Sequence, residues 1–370
     1  MKQNPFTPSF GSVPLLFAGR QTIIADVLAG LDNGPGDPNR ATLLIGPRGS
    51  GKTALLTAIA NQAAERGWIA ANVTAGDGML EDIVERTLDS AAEYLARPVR
   101  GRLTAVQIAG FGLTREAVSP VVGNWRTRMN TMLDELARHD VGLLITVDEV
   151  DDQTPELGQL VDVFQHFVRE RRQVALLMAG LPHNVSVLLQ NKKISFYRRA
   201  FQRHLGLIDS YEVRETLRQT VELSGRTIDP GALDMATGAA GGFPFLIQLV
   251  GYHVWRQHPD APTITIADAQ EGVTYAQADM ETMIFAATIR ELSDTDRDFL
   301  NAMLPDPDVS RMSDIAERMG VTTNYANQYR ARLIEQGIVG TRGRGKLGFD
   351  MPMLRDYLIR HQESESDNGD

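Results

Sequence analysis

The eight residues Gly46-Pro47-Arg48-Gly49-Ser50-Gly51-Lys52-Thr53 constrain the fold of this 370-residue chain more than any other feature. They spell G-x-x-x-x-G-K-[ST] in full, a pattern that has meaning only between a strand and a helix. Here the apolar run Ala41–Ile45 precedes it, and a stretch rich in Ala and Leu, residues 53–66, follows until Gly67 stops it. Glycines so placed let backbone N–H groups turn inward around phosphate oxygens. Lys52 then reaches the β- and γ-oxygens, and the Thr53 hydroxyl suits a Mg2+ ion. The helix opening at Thr53 adds the positive end of its dipole. Gly46, Pro47, Arg48, Gly49, Ser50, Gly51, Lys52, Thr53 and Ala54 are therefore the expected contacts of a nucleotide.

The residues that follow keep alternating strand and helix patterns. Residues 68–75 read as a strand, and Leu80, Val84, Leu88, Ala91 and Leu95 recur at helical spacing. Residues 103–114 suggest a strand or hairpin, and 123–138 a helix. Residues 141–147 are the most apolar strand candidate and end on Asp148-Glu149. Leu157, Leu160, Val161, Phe164, Phe167 and Val168 form the next helical stripe, which leads to a strand over 174–179. Such alternation predicts a parallel α/β sheet with helices on both faces. Ligands of open α/β sheets sit at the carboxyl ends of the strands, where the two adjacent carboxylates fall. Asp148 is expected to hold Mg2+ through water, and Glu149 to polarise the attacking water as general base. The pair also has a plain alternative as a strand end running into charged loop residues, since Asp151 and Asp152 prolong the acidic run.

After about His204 the strands are expected to stop. Residues 210–223, 231–237 and 245–257 read as short helices, and 259–265 as a Pro/Thr-rich linker. A helical stretch over 268–292 leads into a small module. Residues 312–320 form an amphipathic helix with Ser313 as its cap, 321–323 a tight turn, and 324–336 a second helix closed by Gly337, which is helix-turn-helix spacing. Residues 338–349 then form a hairpin wing. The second helix carries Asn324, Tyr325, Asn327, Gln328, Arg330 and Arg332, polar side chains of a size that enters a DNA groove. The wing carries Arg342, Arg344 and Lys346, which suit phosphates. Residues 343–348 also spell G-x-G-x-x-G, but they follow a helix and lie in no βαβ unit, so they read as the wing turn. Residues 362–370 hold four acids and no base, a tail expected to be disordered.

Charge bears on the partner. The chain has 37 Lys plus Arg against 47 Asp plus Glu, a net charge of −10, which speaks against a protein coated in nucleic acid. Residues 324–346 nonetheless hold five bases and one acid, a local charge of +4. Contacts to protein are the competing use of this module, and Asp294, Asp296, Asp298, Asp306 and Asp308 at its front keep that use open. The absence of cysteine excludes disulfides, a thiolate metal site and a cysteine nucleophile. The seven histidines show no metal-ligand spacing. No apolar run approaches the ~18 residues of a membrane span. Residues 1–19 make a poor signal peptide, so no membrane is expected and the cytoplasm is the default location.

Phe17-Ala18-Gly19-Arg20 ahead of the loop, the Asp148-Glu149 pair and Gly242-Phe243-Pro244 together resemble the AAA+ ATPases. The resemblance covers about residues 15–358 and is nearest to the branch of origin-recognition initiators, archaeal-type ATPases and STAND switch ATPases. It implies a P-loop parallel sheet sandwiched by helices as the AAA+ base (1–205), an α-helical lid (206–266), a connecting helix (267–292) and a winged helix-turn-helix domain (293–361) before the acidic tail (362–370). Gly19 and Arg20 would lie beside the adenine, with Pro244 closing over it from the lid. Arg198 and Arg199 sit where an arginine finger could face a neighbouring copy in a homo-oligomer. Two positions depart from the family pattern. The strand over 174–179 ends in Gly180-Leu181-Pro182 rather than on a polar sensor, for which His183 and Asn184 are the nearest substitutes, and the lid lacks an arginine at the Gly-x-Pro position.

The function so implied is binding and hydrolysis of ATP with Mg2+ as a conformational switch, coupled to double-stranded DNA through the winged helix. The alternative is a STAND-like nucleotide-gated scaffold whose winged helix contacts protein. A third possibility is a transcription regulator that only senses ATP.

Overall fold

The computed structural model describes residues 2–9, 11–96, 124–190, 199–351 and 353–367. The expected strand over 103–114, and Arg198, lie outside the described residues. The chain divides into two compact units, one of residues 20–45 and 52–205, the other of residues 1–19, 46–51 and 206–370.

The first unit is the α/β layer. In chain order it holds α1 (Gln21–Asn33), β1 (Ala41–Ile45), α2 (Lys52–Ala64), β2 (Trp68–Thr74), α3 (Met79–Ala96), α4 (Trp125–Arg138), β3 (Gly142–Asp148), α5 (Pro155–Arg169), β4 (Val174–Gly180), α6 (Pro182–Gln190) and β5 (Phe201–His204). The strands form one sheet in the order β2-β3-β4-β1-β5, and every pairing is parallel. β3 and β4 are buried along almost their whole length, as continuous apolar runs in a doubly covered sheet should be. The register aligns Thr74 with Asp148 and Ile45 with Gly180, so the strands end together at one carboxyl edge. α4 is tied to α3 by the Trp125 indole, which donates to the Leu80 carbonyl at 2.8 Å. β5 was not expected. It is a polar edge strand bonded only to β1, so it lacks the apolar pattern that marks the inner strands.

The second unit is mostly helical. It holds α7 (Ser210–Leu223), β6 (Thr227–Ile228), α8 (Pro230–Ala240), α9 (Pro244–Trp255), β7 (Thr263–Ile264), α10 (Ile266–Met280), α11 (Ala286–Glu291), α12 (Asp294–Met303), β8 (Ser310–Arg311), α13 (Met312–Arg318), α14 (Thr323–Glu335), β9 (Val339–Thr341), β10 (Lys346–Phe349) and α15 (Leu354–Asp367). A single apolar cluster runs from Phe6 through Trp255, Phe285 and Phe299 to Leu358. The hairpin β9–β10 is antiparallel, and β8 adds to it to give the order β8-β10-β9.

Four expectations change here. Strands do occur after His204, but β6, β7 and β8 are two residues each, too short for a period to register. The helical stretch over 268–292 is broken by a π turn, Glu281–Phe285. Ser313 does not cap α13: the capping position is Arg311, and the Ser313 hydroxyl bonds Asp314 instead. The charged tail is helical as far as Asp367, continuing a helix anchored by Leu354, Tyr357 and Leu358. Among the described residues, no helix is long and apolar enough to cross a membrane.

The first residues join this unit because Phe6 is buried at 2% exposure against Gly251, where a Cβ would come within 2.4 Å of the ring. Asn4 donates to the Tyr252 carbonyl at 3.0 Å, and the Thr7 amide donates to Gln248 at 3.1 Å. Removing a buried phenyl ring costs the transfer energy and leaves a cavity. Phe6→Ala is therefore expected to destabilise this unit by about 3 kcal/mol, read as a lower urea midpoint.

α10 opens on a reciprocal cap in which Thr265 and Asp268 serve each other's backbone. Burial pushes the Asp268 pKa up, but His258 and the Thr265 amide and hydroxyl outweigh it, so it lies below the ordinary carboxylate value. A depressed pKa gives stability that is present above the unfolded value of ~3.9 and lost as pH falls through the folded one. Asp268→Asn should flatten the acid limb of this unit's stability below about pH 4, as followed by thermal melts across pH.

Candidate functional site

In the α/β unit, β3 delivers Asp148 to the carboxyl edge and the first turn of α2 presents Lys52 and Thr53. The Thr53 hydroxyl donates to one Asp148 carboxylate oxygen. The Glu149 amide donates to the other at 2.9 Å. Two oxygen ligands thus stand at one spot, of the kind a hard divalent cation takes.

Glu149 itself is exposed and left-handed, with φ 55°. The cause is local. The Asp148 carbonyl accepts the Ala75 amide at 2.9 Å, and the amide of buried Val150 donates to the Ala179 carbonyl at 2.9 Å. The chain is held on both sides, so the residue between must bulge off the sheet edge. An L-residue in this region costs roughly 1–2 kcal/mol, a strain that recurs at functional positions. Sequence spacing gave no sign of it.

In the helical unit, the loop 46–51 turns through two left-handed glycines, Gly49 at φ 76° and Gly51 at φ 85°. A Cβ on Gly49 would meet the Phe243 ring at 2.6 Å, and one on Gly51 would lie 3.7 Å from Pro244. Ser50, 3% exposed, has its hydroxyl enclosed without a hydrogen-bond partner among the described residues. A buried polar group left unmade costs about 1–3 kcal/mol, a cost that any ligand or water supplying the missing bond would offset. Pro47 abuts the end of α14: a Cβ on Gly337 would fall 2.7 Å from its own Cβ. Gly337 has φ 70°, and its amide and that of Ile338 close α14 on the carbonyls of Ile334 and Leu333, both at 3.0 Å.

The two short boxes expected near the base meet through Ile208. Gly19 lies against the Ile208 and Glu212 side chains, and Gly242 accepts the Ile208 amide at 2.8 Å. Nothing in the sequence marked Ile208. Arg20 is buried at the head of α1, while Arg199 is exposed in the turn before β5. Ala54 is half-buried, and β4 ends on Gly180 with Asn184 half-buried in α6.

The expected DNA contacts separate into two groups. Asn324, Tyr325 and Gln328 are exposed on α14, as are Arg344 and Lys346 in the hairpin, while Asn327 is half-buried. Tyr329 donates to the Tyr325 hydroxyl at 2.9 Å, and this contact raises the Tyr325 phenol above its ordinary pKa. Arg332 and Arg342 are exposed but already paired within the protein. Arg332 donates to buried Asp296 at 2.9 Å and to Ser293 at 2.8 Å, and it lies 5.1 Å from the Tyr329 ring. Arg342 pairs with Asp350 at 2.7 Å and donates to the Phe349 carbonyl at 2.9 Å. Arg330 is half-buried, 3.5 Å from Asn327, with its Nε enclosed. The free positive charge is thus smaller than +4 and centred on Arg344 and Lys346.

The family model of the AAA ATPase domain matches residues 16–178. That match spans somewhat under half of the chain. The motif loop, α2 and the strand that ends on Asp148 all fall inside it, and at the level of that family the domain is one of nucleotide hydrolysis. A second model, a domain of unknown function (DUF8462), matches residues 282–358. The Walker-type ATPase of Pyrococcus abyssi is similar in structure, with TM-score 0.64 and 14% identity over 93% of this chain and 96% of that one. So is the ORC2 protein of Aeropyrum pernix in its ADPNP–ADP complexes, with TM-score 0.62 and 15% identity over 96% and 98%. At such identities the likeness is one of fold, along nearly the whole chain. No curated protein matches by sequence.

The strain at Glu149 gives a direct test. Glu149→Gly should raise stability by about 1 kcal/mol, since glycine adopts the left-handed region freely. Glu149→Gln keeps the strain and should melt with the parent protein. Loss of stability in both variants would mean that the carboxylate itself holds the fold.

Proposed function

We propose that the chain binds ATP with Mg2+ and hydrolyses it as a conformational switch, coupled to double-stranded DNA through a C-terminal winged helix. The observation that carries the first half is the Thr53 hydroxyl on Asp148, beside a Glu149 held off the sheet edge. Backbone amides of the loop 46–51, with Lys52, cradle the phosphates, and the enclosed Ser50 hydroxyl gains the partner it lacks. Thr53 and Asp148 hold Mg2+, which neutralises charge on the β- and γ-phosphates when bound. Glu149, exposed to solvent, takes the proton of the attacking water. Gly19 and Arg20 flank the base and Pro244 covers it. Arg199, with Arg198, reaches a neighbouring copy as an arginine finger in a homo-oligomer.

The second half rests on α14. α12, α13 and α14 with the sheet β8-β10-β9 have the element order of a winged helix, with α14 as the second helix of the helix-turn-helix. One end of α14 packs on Pro47 of the phosphate loop, and its exposed face lies toward its start. A nucleotide that reshapes the loop thereby shifts the helix proposed to enter the groove.

The internal pairing of Arg332 and Arg342 favours a second reading, a nucleotide-gated scaffold whose C-terminal module contacts protein. A gel shift at two salt concentrations separates them. DNA binding that weakens steeply with salt and falls further in Arg344→Ala/Lys346→Ala supports the first. No binding at low salt supports the second.

For the ATPase itself, Lys52→Ala should weaken ATP binding at least about tenfold. Glu149→Gln should keep ATP affinity and lower turnover by roughly a hundredfold or more. Unchanged ATP affinity in folded Lys52→Ala protein would sink the assignment.

A further inference from the structure

We infer that α14 selects A·T base pairs through an amide row, an inference that rests on the DNA-binding reading above. One face of α14 is committed to the core. Ala326 and Leu333 are fully buried, with Tyr329 packed partly against the core and Arg330 half-buried in the same row. The opposite row is Asn324, Gln328 and Ala331, at i, i+4 and i+7, and all three are exposed. Neither amide has a protein partner among the described residues, so both are available to a ligand.

The outward row holds no unpaired cation. Arg332, exposed and four residues beyond Gln328, is committed to Asp296 and Ser293, and Arg330 lies on the inward side with its Nε enclosed. In the major groove, guanine is read above all by Arg or Lys on its O6 and N7 atoms. Asn and Gln instead make paired bonds to the N6 and N7 atoms of adenine, and an alanine methyl packs on the thymine methyl. Asn324, Gln328 and Ala331 are these three residue types in one line. The missing arginine makes the choice one of base type as well as of affinity.

Spacing extends the inference. Four residues of helix rise about 6 Å, close to two base-pair steps of ~3.4 Å each. Asn324 and Gln328 then meet adenines two steps apart, and Ala331, about 4.5 Å further on, meets a thymine one step beyond. Arg344 and Lys346 on the hairpin turn are exposed and grip phosphates of either strand, which adds affinity without base preference.

The test is selection from a random duplex library by the full-length chain with ATP and Mg2+, followed by competition binding of the enriched duplex. Enriched sites are expected to carry A·T pairs at the spaced positions, and each swap to G·C should weaken binding by about tenfold. Asn324→Ala/Gln328→Ala should erase the preference while leaving the thermal midpoint unchanged. Arg344→Ala/Lys346→Ala should weaken all sequences alike. Enrichment of G·C pairs, duplex binding without preference, or a preference that survives the double amide variant overturns the inference while DNA binding stands. Failure to bind any duplex at low salt overturns the DNA-binding reading and this inference with it.

Discussion

The packing of the phosphate loop is the constraint from which the rest of the structure follows. Gly49 must be left-handed and must lack a Cβ, because the Phe243 ring occupies the space one would fill. That turn encloses the Ser50 hydroxyl without a partner. The loop is thus preformed and carries an unmet hydrogen bond. The residues around it are placed by this demand. Phe243 and Pro244 come from the corner that opens α9, Ile208 joins the Gly19 and Gly242 boxes, and Gly337 lets the end of α14 approach Pro47.

A second local cost lies at the end of β3. Pairing on both sides fixes Asp148 and Val150, so Glu149 takes a backbone conformation that L-residues avoid. Backbone hydrogen bonds thus set the direction in which the Glu149 side chain leaves the sheet edge.

Much of the site was legible because the chemistry needs a contiguous motif. Gly46 to Thr53, and Asp148-Glu149 at the end of an apolar strand, announce themselves by residue type and spacing. The inner strands were legible because burial on both faces leaves few polar residues in them, Thr42 and Thr146 before the closing Asp148. β5 was not, since an edge strand bonded only to β1 keeps Gln202 and Arg203 in solvent-tolerant positions. The fate of Arg332 was hidden for another reason. Its partner Asp296 lies 36 residues away and looked like part of an acidic front, whereas it is a buried cap of α12 that the arginine neutralises. Gly337 was legible as a helix stop, but contact with Pro47 across 290 positions leaves no local trace.

Nucleotide chemistry and the C-terminal helix meet at Pro47 and Gly337, and the claim that they are coupled can be tested without knowing a pathway. The direct measurement is equilibrium binding of a non-hydrolysable ATP analogue to the full chain, with and without saturating duplex DNA. It is paired with DNA binding with and without the analogue. Coupling between two sites is reciprocal, so both affinities should shift by one common factor of at least about fivefold. Equal affinities in all four conditions would contradict the coupling and leave the phosphate loop and α14 as independent sites.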